Sequence, residues 1–408
     1  MKLSRNAKHA ILIGSLCSIS YFAVYIARNI LGAVTPQMLE SGLYSEAYIG
    51  TISSVYFFFY AFGQLINGFI GDKIKARNMI SCGLLLAGIS NFAFSRITDL
   101  ASIAGFVYGL TGFFLAMIYG PMTKVVAENT EPDHATRCSL GYTVASFLGS
   151  PAAGMLASLM AWQTVFAVSS TILVVMAVSA FTLFWMMERR GIVQYGQYQL
   201  KKQEGERVSF SERVCILLRH RIIKFSLISF LTGVVRTSVV FWLPTYFAQA
   251  LGYSSERSAS IFTVTTLIMS LTSFIAVFIF ERLHRNMDLT VLLMFSAAAL
   301  FFAGVYVIKQ PIVNIVMIVL AIMASNGAAT MLWSRYCPSL RDTGMVSGAT
   351  GFLDFVSYMA AALANIVFAN AVTAIGWSNL ILVWFVLMVF GVIVALPYHK
   401  WKRKKTTV

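Results

Sequence analysis

Residues 21–36 read YFAVYIARNILGAVTP and residues 231–247 read LTGVVRTSVVFWLPTYF; each is an apolar stretch with one arginine, Arg28 or Arg236, placed eight residues before a proline, Pro36 or Pro244. A guanidinium inside a membrane-length apolar segment costs about 2.5 to 3.5 kcal/mol on insertion scales, so such a residue faces a cavity and a ligand. Two of them at matched positions predict an anionic ligand.

The match extends outward. After Pro36 the chain continues QMLESGLYSEAYIG, and after Pro244 it continues TYFAQALGYSSERSA, with an apolar run, a glycine, a Tyr-Ser pair and a charged turn in the same order. Further on, EPDHATRCSLGYTV from Glu131 parallels CPSLRDTGMVSGAT from Cys337. Both offsets are close to half the chain, the signature of a parallel duplication.

Of 408 residues, 58% are hydrophobic and 12% charged, which is far too much apolar surface for a soluble domain. Segments of bilayer-crossing length fall near 10–36, 48–70, 79–96, 101–124, 138–160 and 163–187, then 223–248, 258–280, 288–308, 312–335, 343–370 and 377–398. The expectation is an all-α membrane protein: an N-terminal half over 1–187, a cytoplasmic linker over 188–221 and a C-terminal half over 222–408. Basic residues bias their loops toward the cytoplasm, and Lys2, Arg5, Lys8, then Lys73, Lys75, Arg77, then Lys201, Lys202, Arg207 fall on one side with the basic tail from Lys400. Both termini are therefore expected in the cytoplasm. The net charge of +15 is a topology signal, with no nucleic-acid partner expected.

The first apolar run continues without a small-residue cleavage site and contains Arg28, so it reads as a span and not as a signal peptide. Five scattered cysteines, Cys17, Cys82, Cys138, Cys215 and Cys337, lack disulfide or metal spacing, and no metal or cofactor is expected. The absence of an Asn-x-Ser/Thr sequon favours a bacterial cytoplasmic membrane. In the linker, SFSERVCILLRHR has apolar residues at helical spacing and predicts a short amphipathic helix.

The loop GFIGDKIKARNMI, Gly68 to Ile80, combines close-packing glycine, Asp72 at a helix end and the cations Lys73, Lys75 and Arg77. It resembles the signature loop of the major facilitator superfamily. Together with the duplicated halves and the linker, this resemblance implies twelve transmembrane helices in two pseudo-symmetric six-helix bundles, and Gly68, Asp72, Lys73 and Arg77 as a cytoplasmic gate. Within that superfamily, the run from Tyr21 resembles the first helix of the organophosphate:phosphate antiporters, the group of the glycerol-3-phosphate, hexose-phosphate and glucose-6-phosphate transporters. Their tyrosine, tyrosine, arginine pattern falls on Tyr21, Tyr25 and Arg28, and their second arginine helix resembles the stretch around Arg236. The resemblance also places a tyrosine at Tyr60, while the lysine one turn on is Gln64 here. A glutamate of the glycerol-3-phosphate type falls on Thr266 and a histidine near Ala145.

Helical spacing gives the same grouping. Tyr21, Tyr25, Arg28 and Gly32 are three or four residues apart and share one face; Ser229, Gly233 and Arg236 do likewise. Arginine suits phosphate because its planar fork binds two oxygens at once and stays charged. A second polar stripe runs through Ser53, Tyr56, Tyr60, Gln64 and Asn67. A third runs through Ser347, Thr350, Asp354, Tyr358 and Asn365. Asp354 has no family equivalent; it could carry a proton, balance the charge of Arg236, bind a substrate amine or serve as a structural ion pair. Lys124 is open to three roles at the cytoplasmic mouth: gate, anion site or lipid anchor.

The chain is expected to act as a monomeric secondary transporter of a small phosphate ester or phosphonate, by alternating access, in exchange for inorganic phosphate or with a proton. No nucleophile-base pair or nucleotide loop suggests an enzyme. Two alternatives stand beside it: a membrane sensor of a sugar phosphate, and a proton-coupled carrier of carboxylates or drugs.

Overall fold

The computed structural model describes residues 4–71, 74–98, 100–195, 210–340 and 346–396. A bilayer interior offers no water to an unpaired N–H or C=O, so a spanning segment must satisfy its backbone internally. The described residues form helices, with no strand among them. The first half carries α1 (Arg5–Glu40), α2 (Glu46–Gly71), α3 (Ala76–Phe94), α4 (Ala101–Leu115), α5 (Tyr119–Asn129), α6 (Pro132–Leu159) and α7 (Trp162–Arg189). The short linker helix α8 (Phe210–Arg219) precedes α9 (Ile222–Gly233), α10 (Val240–Gln249), α11 (Ser255–Met269) and α12 (Thr272–Arg282). After these come α13 (Met287–Val307), α14 (Pro311–Met331), α15 (Cys337–Ser339) and α16 (Val346–Ala395).

Helix starts have local causes. Ser4 Oγ accepts from the Ala7 N–H (3.1 Å), Asn286 Oδ1 from Leu289 (3.1 Å) and Gln310 Oε1 from Val313 (2.6 Å). Pro132 and Pro311 take first-turn positions, where a missing N–H costs nothing. Nine helical stretches among the described residues are long and apolar enough to cross a membrane, so the chain is an integral membrane protein.

Several spans depart from the uniform rods that periodicity predicts. The expected span 101–124 breaks after Leu115 and restarts at Tyr119, with Gly120 and Pro121 in the new first turn. The span 258–280 divides at Ser270, whose hydroxyl turns back onto the Leu267 carbonyl (2.6 Å). The last two spans join in α16, which turns at Gly376 (φ 73°), a left-handed conformation that glycine adopts at little cost. The chain between α9 and α10, Val234–Val239, is a π-helical turn, and a second one occupies Leu332–Tyr336.

The chain forms two compact units, Met1–Arg207 with Phe241–Ser270, and Val208–Val240 with Leu271–Val408. In the first, α1 lies against α6 through small residues. A Cβ on Gly14 would meet Cys138 Sγ at 2.6 Å, one on Gly141 would meet Ser18 Oγ at 2.8 Å, and one on Gly149 would collide with Tyr25 Cβ. The same device admits α10 and α11: Gly32 faces Phe241, and Gly154 faces Ala259, Phe262 and Thr263. Polar contacts hold this end. Glu40 Oε1 accepts from the Ser255 N–H at the start of α11 (3.0 Å), and Gln249 Nε2 donates to Glu46 Oε1 (2.7 Å). Apolar faces cannot sort themselves against lipid, so close approach at small residues and a few hydrogen bonds set the pairing.

In the second unit the helix through α9 and the π turn runs parallel to the first half of α16. Ser229 Oγ donates to the Leu353 carbonyl (2.7 Å), Gly233 abuts Ser357, and Ser238 Oγ donates to the Ala361 carbonyl (3.0 Å). Lys224 Nζ donates to Asp288 Oδ1 (3.1 Å) and the Ala395 carbonyl (2.9 Å), tying three helix ends together.

Candidate functional site

In the first unit Arg28 is 8% exposed, inside a helix with no other charged residue between Lys8 and Glu40 apart from His9 next to Lys8. Its guanidinium carbon lies 5.1 Å from the Tyr25 ring centroid, 5.8 Å from Phe57 and 5.1 Å from Tyr60, and Nη1 donates to the Tyr25 hydroxyl at 3.5 Å. Tyr25 comes from the same face of α1, one turn earlier; Phe57 and Tyr60 come from α2. Ring faces stabilise a desolvated cation by about 0.5 to 2 kcal/mol each while leaving its net charge intact. The sequence stripe on α2 is held from behind, because Gly112 of α4 lets Tyr56 approach its backbone and Asn67 Nδ2 donates to the Phe113 carbonyl (3.2 Å). Gln64 lies one turn beyond Tyr60 and is half-buried.

Tyr21 packs on Tyr25 (ring centroids 4.9 Å) and also on two rings outside the predicted set, Tyr119 at 5.5 Å and Tyr142 at 6.2 Å. Tyr119 opens α5 and Tyr142 lies on α6, so only helix pairing brings them to Tyr21. Ala145 is buried one turn past Tyr142, and Thr266 is buried with its hydroxyl on the Phe262 carbonyl (2.6 Å). Lys124 lies half-buried on α5, four residues before the buried Glu128, an acid that no sequence motif marks.

At the signature loop, Arg77 Nη1 and Lys75 Nζ both bind Glu188 at the end of α7, each at 2.7 Å, and the Arg77 guanidinium covers the Phe181 ring at 4.9 Å. Outside the spans, burial pushes the neighbouring Tyr195 hydroxyl up to about 12. Glu188 carries no motif of its own; its role is visible only once α3 and α7 are side by side. Gly68 falls within α2, whereas Asp72 and Lys73 lie outside the described residues.

In the second unit Arg236 sits in the π turn and is half-buried. The hydrogen-bonded register before the turn pairs Ser229 with Leu353, an offset of 124; after it Ser238 pairs with Ala361, an offset of 123. The extra residue of the π turn absorbs that slip, and it sets the direction in which Arg236 leaves the helix. Along this register Asp354 lies about 9 Å from the level of Arg236, on the side toward which an arginine side chain tilts. Asp354 is half-buried and, with Thr350, lies beside Cys337.

Described residues that are helical and built on membrane-length segments, with one arginine held among aromatic rings in the first span, define a membrane transporter and not an enzyme. The family profile of the Major Facilitator Superfamily matches residues 17–365, and the chain belongs to that superfamily. It is similar to the glycerol-3-phosphate transporter of Bacillus subtilis (strain 168), 22% identical over 93% of this chain and 89% of the relative. It is also similar to the membrane sensor protein UhpC of Escherichia coli (strain K12), 21% identical over 93% and 90%, and to the phosphoglycerate transporter protein of Salmonella typhimurium (strain LT2), 22% identical over 93% and 86%. Among solved structures, a bacterial homologue of the human lysosomal transporter Spinster, inward-facing and unoccupied, shares the fold with a TM-score of 0.75 at 11% identity over 96% of this chain and 97% of that one. The nucleoside transporter NupG gives 0.73 at 14% identity, over 94% and 98%.

Proposed function

We propose that this chain is a monomeric secondary transporter in a bacterial cytoplasmic membrane, moving a small phosphate ester or phosphonate by alternating access. Its twelve spans form two six-helix halves with both termini in the cytoplasm, and inorganic phosphate is the exchanged ion. Arg28 and Arg236 are the phosphate-binding residues, Tyr21, Tyr25, Tyr60 and Gln64 line the Arg28 side, and the loop from Gly68 through Asp72, Lys73 and Arg77 gates the cytoplasmic end. Lys124 receives anions at that mouth. The observation that carries this proposal is the enclosure of Arg28: three rings hold a guanidinium in place at a buried position on the first span. Relatives with phosphorylated compounds in their names support the same chemistry. Proteoliposomes loaded with inorganic phosphate should accumulate external phosphate ester against buffer-loaded controls; absence of both flux and ligand protection would overturn the proposal. Binding without flux would instead support the sensor alternative, which the similarity to a membrane sensor protein favours.

Two fixed cations select the more highly charged ligand. Affinity for a phosphate ester is therefore expected to rise as pH climbs through about 6, the second phosphate pKa, and then level off. Calorimetric titration at several pH values checks this; a flat profile points to a carboxylate or neutral ligand.

Asp354 balances the charge of Arg236 in the empty protein. Asp354→Asn is expected to tighten anion binding and to lower the melting temperature, both through loss of a counter-charge. If Asp354 instead carries a coupling proton, the same change abolishes accumulation driven by a pH gradient and spares counterflow. Flux assays with and without the gradient separate the two roles.

A further inference from the structure

In the second unit the end of α12 gathers cations around one phenylalanine. Between α12 and α13 the chain reverses through His284 (φ 54°) and Arg285 (φ 57°), two successive left-handed residues with side chains, a conformation that ordinarily falls to glycine. The Arg285 N–H holds the turn by donating to the Phe280 carbonyl (2.9 Å). The Arg335 guanidinium, from the second π turn, covers the ring of the same Phe280 at 4.8 Å, and Arg282 folds back over Phe278 at 5.1 Å. All three arginines are exposed. Among the described residues neither they nor the neighbouring Glu281 join an ion pair, and Asp288, three residues past Arg285, is taken by Arg221 and Lys224.

The helix below these cations has two distinct faces. Ala276 and Phe280 are buried, and Ser273 Oγ lies 3.4 Å from Thr330 Oγ1 of α14, so that side packs on protein. On the other side Leu271, Phe274, Ile275 and Phe278 are 52%, 64%, 44% and 56% exposed. They are three or four residues apart and share one face, which Arg282 continues one turn past Phe278. A water-filled cavity would leave four large apolar side chains wet, whereas acyl chains cover them at no cost.

We propose that this corner binds the head group of an anionic phospholipid: Arg282, Arg285 and Arg335 receive the phosphodiester, and the apolar face of α12 receives the acyl chains. A soluble phosphate would use the guanidinium forks alone. Only an amphipathic anion uses the cations and the face that leads to them. In the reading that puts both termini in the cytoplasm, the corner lies at the cytoplasmic surface, where the leaflet is negatively charged. That placement rests on the function proposed above; the composition of the corner does not.

The test titrates purified full-length protein in detergent micelles with phosphatidylglycerol and with phosphatidylcholine, and counts bound lipid by native mass spectrometry. Wild type should prefer phosphatidylglycerol. Arg282→Gln with Arg335→Gln should weaken the tightest phosphatidylglycerol site about tenfold and leave phosphatidylcholine unchanged. The control removes Arg96 and Arg257, which also rest on aromatic rings, at 5.0 and 5.5 Å, but at other helix ends; Arg96→Gln with Arg257→Gln should keep the tight site. Melting temperatures of both double variants check folding. Equal losses in the two variants, or a wild type that does not distinguish the lipids, overturn the proposal. Unchanged phosphatidylglycerol binding in the first variant, with weaker protection by glycerol-3-phosphate, assigns these cations to a soluble anion and overturns it as well. Protection of the wild type by glycerol-3-phosphate reports on Arg28 separately, so the two readings fail independently.

Discussion

Arg28→Lys is expected to fold normally and to weaken phosphate-ester binding by about 1.5 to 3 kcal/mol, the scale of a charge-assisted hydrogen bond. The charge survives this change; what disappears is the planar fork. Tyr25, Phe57 and Tyr60 surround the guanidinium within 6 Å in ring-centroid distance, so its delocalised plane fits among ring faces where a compact, strongly hydrated ammonium does not. Arg236→Lys is expected to cost a similar amount through the same loss of bidentate geometry. Isothermal titration on both variants, with melting temperature as the folding control, decides the matter. Undiminished affinity in either variant removes that arginine from the site.

Gly149→Val is expected to damage both fold and site. A Cβ at this position would collide with Tyr25 Cβ and lie 2.8 Å from the Tyr25 carbonyl carbon and 3.0 Å from its Cα. Because the obstruction is backbone, no rotamer change relieves it, and α1 must move away from α6. Overpacking of this kind typically costs about 1 to 3 kcal/mol, and the two extra methyl groups of valine raise the strain further. Tyr25 also bonds Arg28, so the displacement should weaken ligand binding beyond the loss of stability. Gly105→Ala provides the contrast. Its added Cβ would meet only Ile52 at 4.0 Å, and it should be neutral or slightly stabilising by helix propensity. Melting curves with and without glycerol-3-phosphate check both changes; equal stability in the two variants would contradict the account of α1–α6 packing.

The signature ion pairs show how sequence and structure divide the information. Lys75 and Arg77 are legible as a basic cluster in a loop after a span, which is a local property. Their common partner Glu188 lies more than a hundred residues away, and nothing in its neighbourhood distinguishes it from any other acid at a helix end. The same holds for the rings around Arg28. Tyr25 follows from three-residue spacing on one helix and Tyr60 from the family resemblance, whereas Phe57 enters only when α2 is set beside α1 in a particular rotation. Tyr119 and Tyr142 carry no periodic signal that points toward Tyr21.

By itself the sequence determined that this is a helical membrane protein, where its apolar segments run, that two arginines occupy matched positions, and which side chains share a face with each. Hydropathy and helical period are properties of one segment, and a bilayer imposes them on every span. The tertiary structure alone decided which faces meet. It set the aromatic enclosure of Arg28, the breaks at Leu115 and Ser270, and the π turn that aims Arg236. Lipid and core are both apolar, so the pattern of hydrophobic residues leaves helix rotation and register nearly degenerate. That degeneracy is lifted by close contacts at Gly14, Gly141, Gly149 and Gly233 and by single hydrogen bonds such as Ser229 to Leu353, each of which exists only between helices already paired.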